Sequence, residues 1–297
     1  MEPDIFHTDR PLLFSIAYRM LGSASDAEDV LQDAWLRYRS VERTAIRSPK
    51  ALATTIVTRL CLDRLKSARA TREEYIGPWL PEPVLTSEVE GPETRLQRSE
   101  SVTLAFLVLL EQLSPEERAV FLLKAVFEYE HSEIGEMLGM TPDNSRQLLH
   151  RAKVRLAEGR PRASGSPQSR RVIAERFAQA FSAGDGSALT ALLARDIGMW
   201  SDGGGKASAA RRPLIGRDEV SKFLVGLHRT AETAGLIRDM SLRIEDVNSE
   251  PALVVRVGRR LESIFVLSID GDAITAIRVV RNPDKLAHID RQLTTVH

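Results

Sequence analysis

The chain has 297 residues, 43% of them hydrophobic and 28% charged, and its 41 basic side chains balance its 41 acidic ones. That length admits two or three domains, and the composition excludes a disordered or collagen-like chain. A single cysteine, Cys61, excludes a disulfide framework within the chain, and no run approaches the ~18 apolar residues needed to span a bilayer. The N-terminus, Met1-Glu2-Pro3-Asp4, lacks a basic region leading into an apolar run, so no signal peptide and a cytoplasmic location are expected.

The neutral average hides an uneven distribution of charge. Arg43–Arg72 holds eight basic residues against one acidic, Asp63, and Met140–Arg171 holds eight against Asp143 and Glu158. From Pro78 to Glu117 the balance reverses, to eight acidic against two basic. Two basic islands parted by an acidic stretch offer two places for a polyanion, because phosphate attraction depends on local charge.

In chain order, the first clear element is a helix over Asp26–Arg39. Ala27, Val30, Leu31, Ala34, Trp35 and Tyr38 recur at helical spacing, and Glu28, Asp29, Gln32 and Asp33 gather on another face. Taken alone, that polar face is what any solvated helix shows. A second long helix starts at Pro49 and turns Leu52, Ile56, Val57 and Leu60 towards a core, with Cys61 a small core residue among them. Thr55, Thr58, Arg59, Lys66 and Arg69 are left more exposed. Small hydroxyls with spaced cations suit a surface that follows a nucleic-acid backbone, although they also make an ordinary wet face. Gly77–Pro92 is rich in proline and reads as an extended linker, and its Trp79 and Leu80 have no helix of their own to bury them.

Ser114-Pro115-Glu116-Glu117 is a capping box that opens a helix carrying Val120, Leu122, Leu123 and Val126. A short helix with Ile134, Met137 and Leu138 follows, then a turn at Gly139-Met140-Thr141, with Thr141 as N-cap and Pro142 in the first turn. The next helix buries Ser145, Leu148, Leu149, Ala152 and Leu156. Its outer side carries Asn144, Arg146, Gln147, His150, Arg151 and Lys153. Short helix, glycine turn and basic-faced helix form a helix-turn-helix, in which Arg and Gln can each make two hydrogen bonds to base edges and Lys meets phosphate.

After a second linker, Gly159–Ser169, the pattern changes. Ile173, Phe177 and Phe181 mark a helix closed by Gly184, Leu189–Leu193 a short helix, and Arg217–Thr230 another. Strands are expected at Ile197–Ser201, Met240–Val247, Ala252–Gly258, Leu261–Ile269 and Ala273–Val280, the last two joined by a tight turn at Asp270-Gly271-Asp272. This is an α+β domain with a curved, mainly antiparallel sheet. Asp202, His228 and Asp246 are its only candidate catalytic bases, and none has a partner identifiable in sequence. Gly203–Gly205 lacks P-loop spacing, and the six histidines show no metal-ligand spacing, so no cofactor is expected.

Asp26-Ala27-Glu28-Asp29-Val30-Leu31-Gln32-Asp33-Ala34-Trp35-Leu36-Arg37 resembles the region 2 signature of extracytoplasmic-function sigma factors. Leu113-Ser114-Pro115-Glu116-Glu117-Arg118 through Leu156 resembles their region 4. The tail narrows the match: Trp79-Leu80-Pro81-Glu82-Pro83, Asp202-Gly203-Gly204-Gly205-Lys206 and Asn282-Pro283-Asp284-Lys285-Leu286 resemble a subgroup with a fused SnoaL-like domain of the NTF2-like superfamily. The resemblance implies two all-α sigma domains, a region 2 helical bundle (1–75) and a region 4 helix-turn-helix (105–160), followed by an α+β cone domain (170–297), with linkers at 76–104 and 161–169. It implies that Glu28, Asp29, Gln32 and Asp33 dock on the β′ clamp helices of RNA polymerase and that the β flap is a further contact. The helix after Pro49 would open and read the −10 element, and the helix from Thr141 would read the −35 element. The fused domain would act in cis on a non-enzymatic, monomeric sigma factor, with no membrane partner and no dedicated anti-sigma factor. Glu130 departs from the pattern, standing where the first helix of the turn motif often begins with Ser or Thr, so weaker capping is expected there. The competing readings are a helix-turn-helix regulator with a ligand-binding tail, and a tail that is an isomerase-like enzyme.

Overall fold

The computed structural model describes residues 5–42, 48–73, 75–89, 102–157 and 165–295. The chain forms two compact units: 1–74 with 86–161, and 75–85 with 162–297. The linker is therefore divided, and Tyr75–Leu85 belongs with the C-terminal unit. Among the described residues no helix is long and apolar enough to cross a membrane, and no group of His, Cys, Asp and Glu could hold a metal ion.

The first unit is helical. α1 (Ile5–Thr8) leads into α2 (Arg10–Leu21), whose residues Leu13 to Leu21 are all buried, making it the central helix of the first bundle. Gly22, at φ +68°, ends α2 and donates its N–H to Tyr18 O. Ser23 then caps α3 (Ala24–Arg39) by accepting from Asp26 N at 3.1 Å. α4 (Pro49–Glu73) completes the bundle against α2 and α3. A short α5 (Thr86–Val89) lies inside the stretch expected to be extended linker throughout.

The second bundle opens with α6 (Leu104–Leu110), capped by Thr103. The capping box of α7 (Pro115–Phe121) is formed, with Ser114 Oγ accepting from Glu117 N and Glu117 Oε2 from Ser114 N. α7 runs on as a π-turn, Leu122–Val126, into α8 (His131–Leu138) and α9 (Pro142–Leu156). The start of α8 is satisfied despite lacking Ser or Thr, since Glu133 reaches back to accept Glu130 N–H at 2.7 Å. The two bundles pack together. Buried Arg118 donates to Leu110 O and across to Met20 O at 2.7 Å, and Thr54 Oγ1 meets Tyr129 OH at 3.1 Å.

The second unit is an α+β domain. Ser166 caps α10 (Pro167–Ser182), so the helix begins within the stretch read as linker up to Ser169. α11 (Gly186–Leu192), β1 (Leu193–Asp202), β2 (Leu214–Ile215), α12 (Arg217–Thr233), β3 (Met240–Val247), β4 (Glu250–Val257), β5 (Arg260–Asp270), β6 (Ala273–Val280) and α13 (Pro283–Thr295) follow. The six-stranded sheet has the order β2-β1-β6-β5-β4-β3, parallel only between β1 and β6. Phe177, Phe181, Val220 and Leu224 from the helices pack on Leu253, Phe265, Ile277 and Val279 of one face. Alternation sends Ile264, Val266 and Val280 to the other face, where α13 meets β5.

α13 makes Asn282–Leu286 the start of a helix. Asn282 Oδ1 accepts Asp284 N at 3.1 Å, Pro283 stands in the first turn, and Leu286, Ile289 and Leu293 are buried on one side.

Candidate functional site

α9 carries the helix-turn-helix surface. Ser145, Leu148, Leu149, Ala152 and Leu156 are buried, while Asn144, Arg146, Gln147, His150, Arg151 and Lys153 are exposed on one helix. Gly139, at φ +67°, makes the turn, and Thr141 Oγ1 accepts Asn144 N at 3.2 Å to start α9. The helix is held by its own salt links: Arg151 and Arg155 both reach Glu117, and Arg146 pairs with Asp143 at 2.6 Å. His131 Nδ1 lies 2.8 Å from Ser145 Oγ, tying α8 to α9. Its partial burial and the nearby Lys124 and Arg146 cations hold its pKa below the ordinary histidine value.

The acidic row of α3 is present as expected, and α4 supplies an unexpected partner. Asp29, Gln32 and Asp33 are exposed, and Glu28 is half-buried against Arg10. Arg64 of α4 reaches Asp26 at 3.0 Å, Asp29 at 3.5 Å and Asp33 at 3.6 Å. One guanidinium thus offsets the like-charge repulsion along that helix. Along α4 the expected exposure holds only in part. Thr58 is fully buried with its hydroxyl on Thr54 O, and Thr55 is half-buried with its hydroxyl on Ala51 O. The correction has a plain cause: a threonine inside a helix satisfies its hydroxyl on the preceding turn, and α7 and α8 pack against this helix. Arg59 is exposed, yet it donates to Met137 O at 2.8 Å, and Lys66 pairs with Glu116 at 3.1 Å. The Arg69 side chain lies outside the described residues.

In the α+β unit the three tail motifs converge on one buried carboxylate. Asp202, fully buried at the end of β1, accepts from Tyr75 OH at 2.6 Å, Leu80 N at 2.8 Å, Gly204 N at 3.0 Å and Lys285 Nζ at 2.7 Å. Lys285 also donates to Leu80 O and stands over the Tyr75 and Trp79 rings at 4.7 and 4.3 Å. Burial, and then the bond to Asp202, push the Tyr75 pKa up, so its hydroxyl stays a donor. Gly204 and Gly205, at φ +57° and +72°, carry no side chain because Asn282 and Tyr75 press on the first and Ile76 on the second. Lys206 pairs with Asp284 on the surface. Further along, Val84 N donates to Asn248 Oδ1, Asn248 N to Val84 O, and Leu85 N to Gln292 Oε1, so the linker is a strap with both ends fastened.

The region 2 and region 4 models of the sigma-70 family match residues 5–71 and 103–156. The chain is 39% identical over 229 residues to the ECF RNA polymerase sigma factor SigJ of Mycobacterium tuberculosis, a match covering 76% of this chain and 73% of that one. The chain belongs to the ECF RNA polymerase sigma factors. A probable ECF sigma factor, SigI of the same species, is 31% identical over 291 residues, covering 96% and 94% of the two chains. The likeness extends through the C-terminal unit: the SigJ crystal structure superposes with a TM-score of 0.74 at 33% identity, over 95% of this chain and 97% of that one. This ECF sigma factor therefore couples helical sigma domains to a C-terminal α+β domain, and the helix-turn-helix repressor reading falls away.

Asp202, His228 and Asp246 form no constellation. Asp202 is saturated by the strap and Lys285, Asp246 is exposed on β3, and His228 packs its ring against Gly184. Sequence reasoning missed three residues that organise these surfaces: Arg64, Arg118 and Tyr75. Arg118 closes the Leu113–Arg118 segment, and its penetration into the first bundle has no local signal. Tyr75 could have been found as the aromatic that opens the proline-rich linker.

Proposed function

We propose that this sigma factor recognises promoters through α9 on the −35 element and α4 on the −10 element, docks its α3 row on the β′ clamp helices, and is modulated in cis by its C-terminal domain. On α9, Arg146 and Gln147 read bases, supported by Asn144, His150 and Arg151, and Lys153 meets phosphate. On α4, Arg59 and Lys66 supply charge beside Thr55, and Arg69 is a further cation of the same helix. Glu28, Asp29, Gln32 and Asp33 face the clamp helices, and the second bundle meets the β flap. The free factor is monomeric, and its tail takes the place of a dedicated anti-sigma partner.

The observation that carries the regulatory part is the fastening of the linker by the buried Asp202–Lys285 pair. This linker is the covalent connection between the two helical bundles. The −10 and −35 elements lie roughly two helical turns apart, about 70 Å, so the bundles must part to engage both. A segment whose backbone and rings are held along Tyr75–Leu85 limits the slack available for that step. Run-off transcription with core polymerase tests this on three proteins: the full chain, a chain ending at residue 169, and Asn282→Ala. Truncation should change promoter output and Asn282→Ala should change it partially. Unaltered output from both, with unaltered hydrogen exchange at Leu80 and Val84 in Asn282→Ala, would refute the regulatory reading.

A further inference from the structure

The end of the sheet where β1, β4 and β6 finish and β5 begins carries a basic rim with no role in the reading above. Arg281, just past β6, ties the rim together by donating to Ser208 O and, at 3.0 Å, to Glu262. Glu262 is also bound by Arg260, so one carboxylate serves two guanidiniums. Arg211 and Arg259 are exposed and have no acidic partner among the described residues. Lys206 is balanced by Asp284. Three positive charges are thus left uncompensated: Arg211, Arg259 and the surplus on Glu262.

Four adjacent strands, β1-β6-β5-β4, underlie these residues. At ~4.8 Å per strand the rim is roughly 14 Å across, about four base steps of a nucleic-acid strand. Uncompensated like charges at that spacing repel one another and gain by meeting a polyanion. The segment between Lys206 and Arg211 is Ala-Ser-Ala-Ala, which offers no large apolar anchor of the kind a protein interface centres on. The strap reaches this rim within the same unit, where a side chain on Gly77 would touch Arg211 Cα at 3.9 Å.

We infer that this rim binds the phosphate backbone of promoter DNA without regard to sequence, as a contact additional to α4 and α9. The inference extends the promoter reading above and depends on it. The test is binding of holoenzyme, reconstituted with the full chain, to a fluorescent promoter fragment across a salt series. Arg211→Gln/Arg259→Gln should weaken binding alike on the promoter and on a fragment with both elements scrambled. It should also flatten the log–log salt dependence by about 1.8, at ~0.9 per phosphate contact. Lys222→Gln/Arg229→Gln, a pair of exposed changes on α12, should leave the slope as in the wild type. A wild-type slope in the rim variant overturns the inference. So does an unchanged slope accompanied by weaker binding to core polymerase, which would assign the rim to an acidic protein surface. Wild-type holoenzyme that does not distinguish promoter from scrambled DNA would fault the promoter reading instead, and the inference with it.

Discussion

Asp202→Asn changes one charge and no shape, and its cost follows from the four donors that converge on the carboxylate. Tyr75 OH and Gly204 N address Oδ1, and Leu80 N and Lys285 Nζ address Oδ2. An amide has one acceptor oxygen and one NH2, so either orientation sets two donors against a third. The worse consequence falls on Lys285, only 10% exposed, whose ammonium keeps Leu80 O and two aromatic faces but loses its counter-charge. Breaking a buried ion pair by removing one partner costs about 3–5 kcal/mol. In a unit of this size that is a loss of roughly 10 °C in Tm.

Two measurements read the effect. Thermal or urea unfolding followed by circular dichroism should show the lost stability, and hydrogen exchange should show Leu80 losing protection before the β5 and β6 core does. A companion change sharpens the attribution: Lys285→Met in the Asp202→Asn background removes the orphaned ammonium. It should recover stability, giving a coupling of at least about 2 kcal/mol in the double-mutant cycle. An Asp202→Asn protein that melts within about 2 °C of the wild type, with Leu80 as protected as before, would refute the reasoning.

Asp29→Lys/Asp33→Lys should weaken core polymerase binding without unfolding α3, because both side chains are more than half exposed; fluorescence titration with core enzyme checks this, and unchanged affinity counts against the docking row. Arg146→Ala or Gln147→Ala should relax the consensus selected from a randomised −35 library, at about 1–3 kcal/mol of discrimination for a bidentate contact, whereas Lys153→Ala should weaken all sequences alike. His131 should titrate below 6.5 in the folded protein, so the stability it contributes is complete above that value and is lost as pH falls through its lowered pKa. Two-dimensional NMR of its ring reads this directly, and a midpoint at or above 6.5 would refute the environment described.

The helix-turn-helix was legible because every device that makes it is local. A capping box, a glycine turn and the Thr141-Pro142 start lie within a few residues of the groups they satisfy, and the buried face of α9 follows from helical spacing alone. Met240–Val247 was legible for the same reason, being an edge strand with clean alternation. The position of the strap was less so. Trp79 and Leu80 announced a need for burial, but their partners lie more than 120 residues away, and only the resemblance linked the motifs. Asn282–Leu286 was ambiguous in sequence because asparagine, proline and aspartate serve equally in turns and at helix starts. Thr58 was misplaced because the periodicity was judged from α4 alone, and the second bundle covers the face that seemed free.

That second bundle bears on what opening requires. Burial pushes the Arg118 guanidinium down to about 10, so it is charged at neutral pH and needs acceptors throughout. Two of its three partners, Leu110 O and Glu111, lie in its own bundle, and only Met20 O belongs to the other. Parting the bundles therefore leaves Arg118 largely satisfied. Other polar cross-links, among them Thr54–Tyr129, Arg59–Met137 O and Lys66–Glu116, join groups that water can serve once they separate. Each is worth about 0.5–1.5 kcal/mol net. The polar contacts named between the DNA-binding bundles are thus individually weak, whereas breaking the buried Asp202–Lys285 pair that fastens the linker costs about 3–5 kcal/mol. Among the polar contacts, the restraint on opening is therefore better sought in the strap than between the bundles.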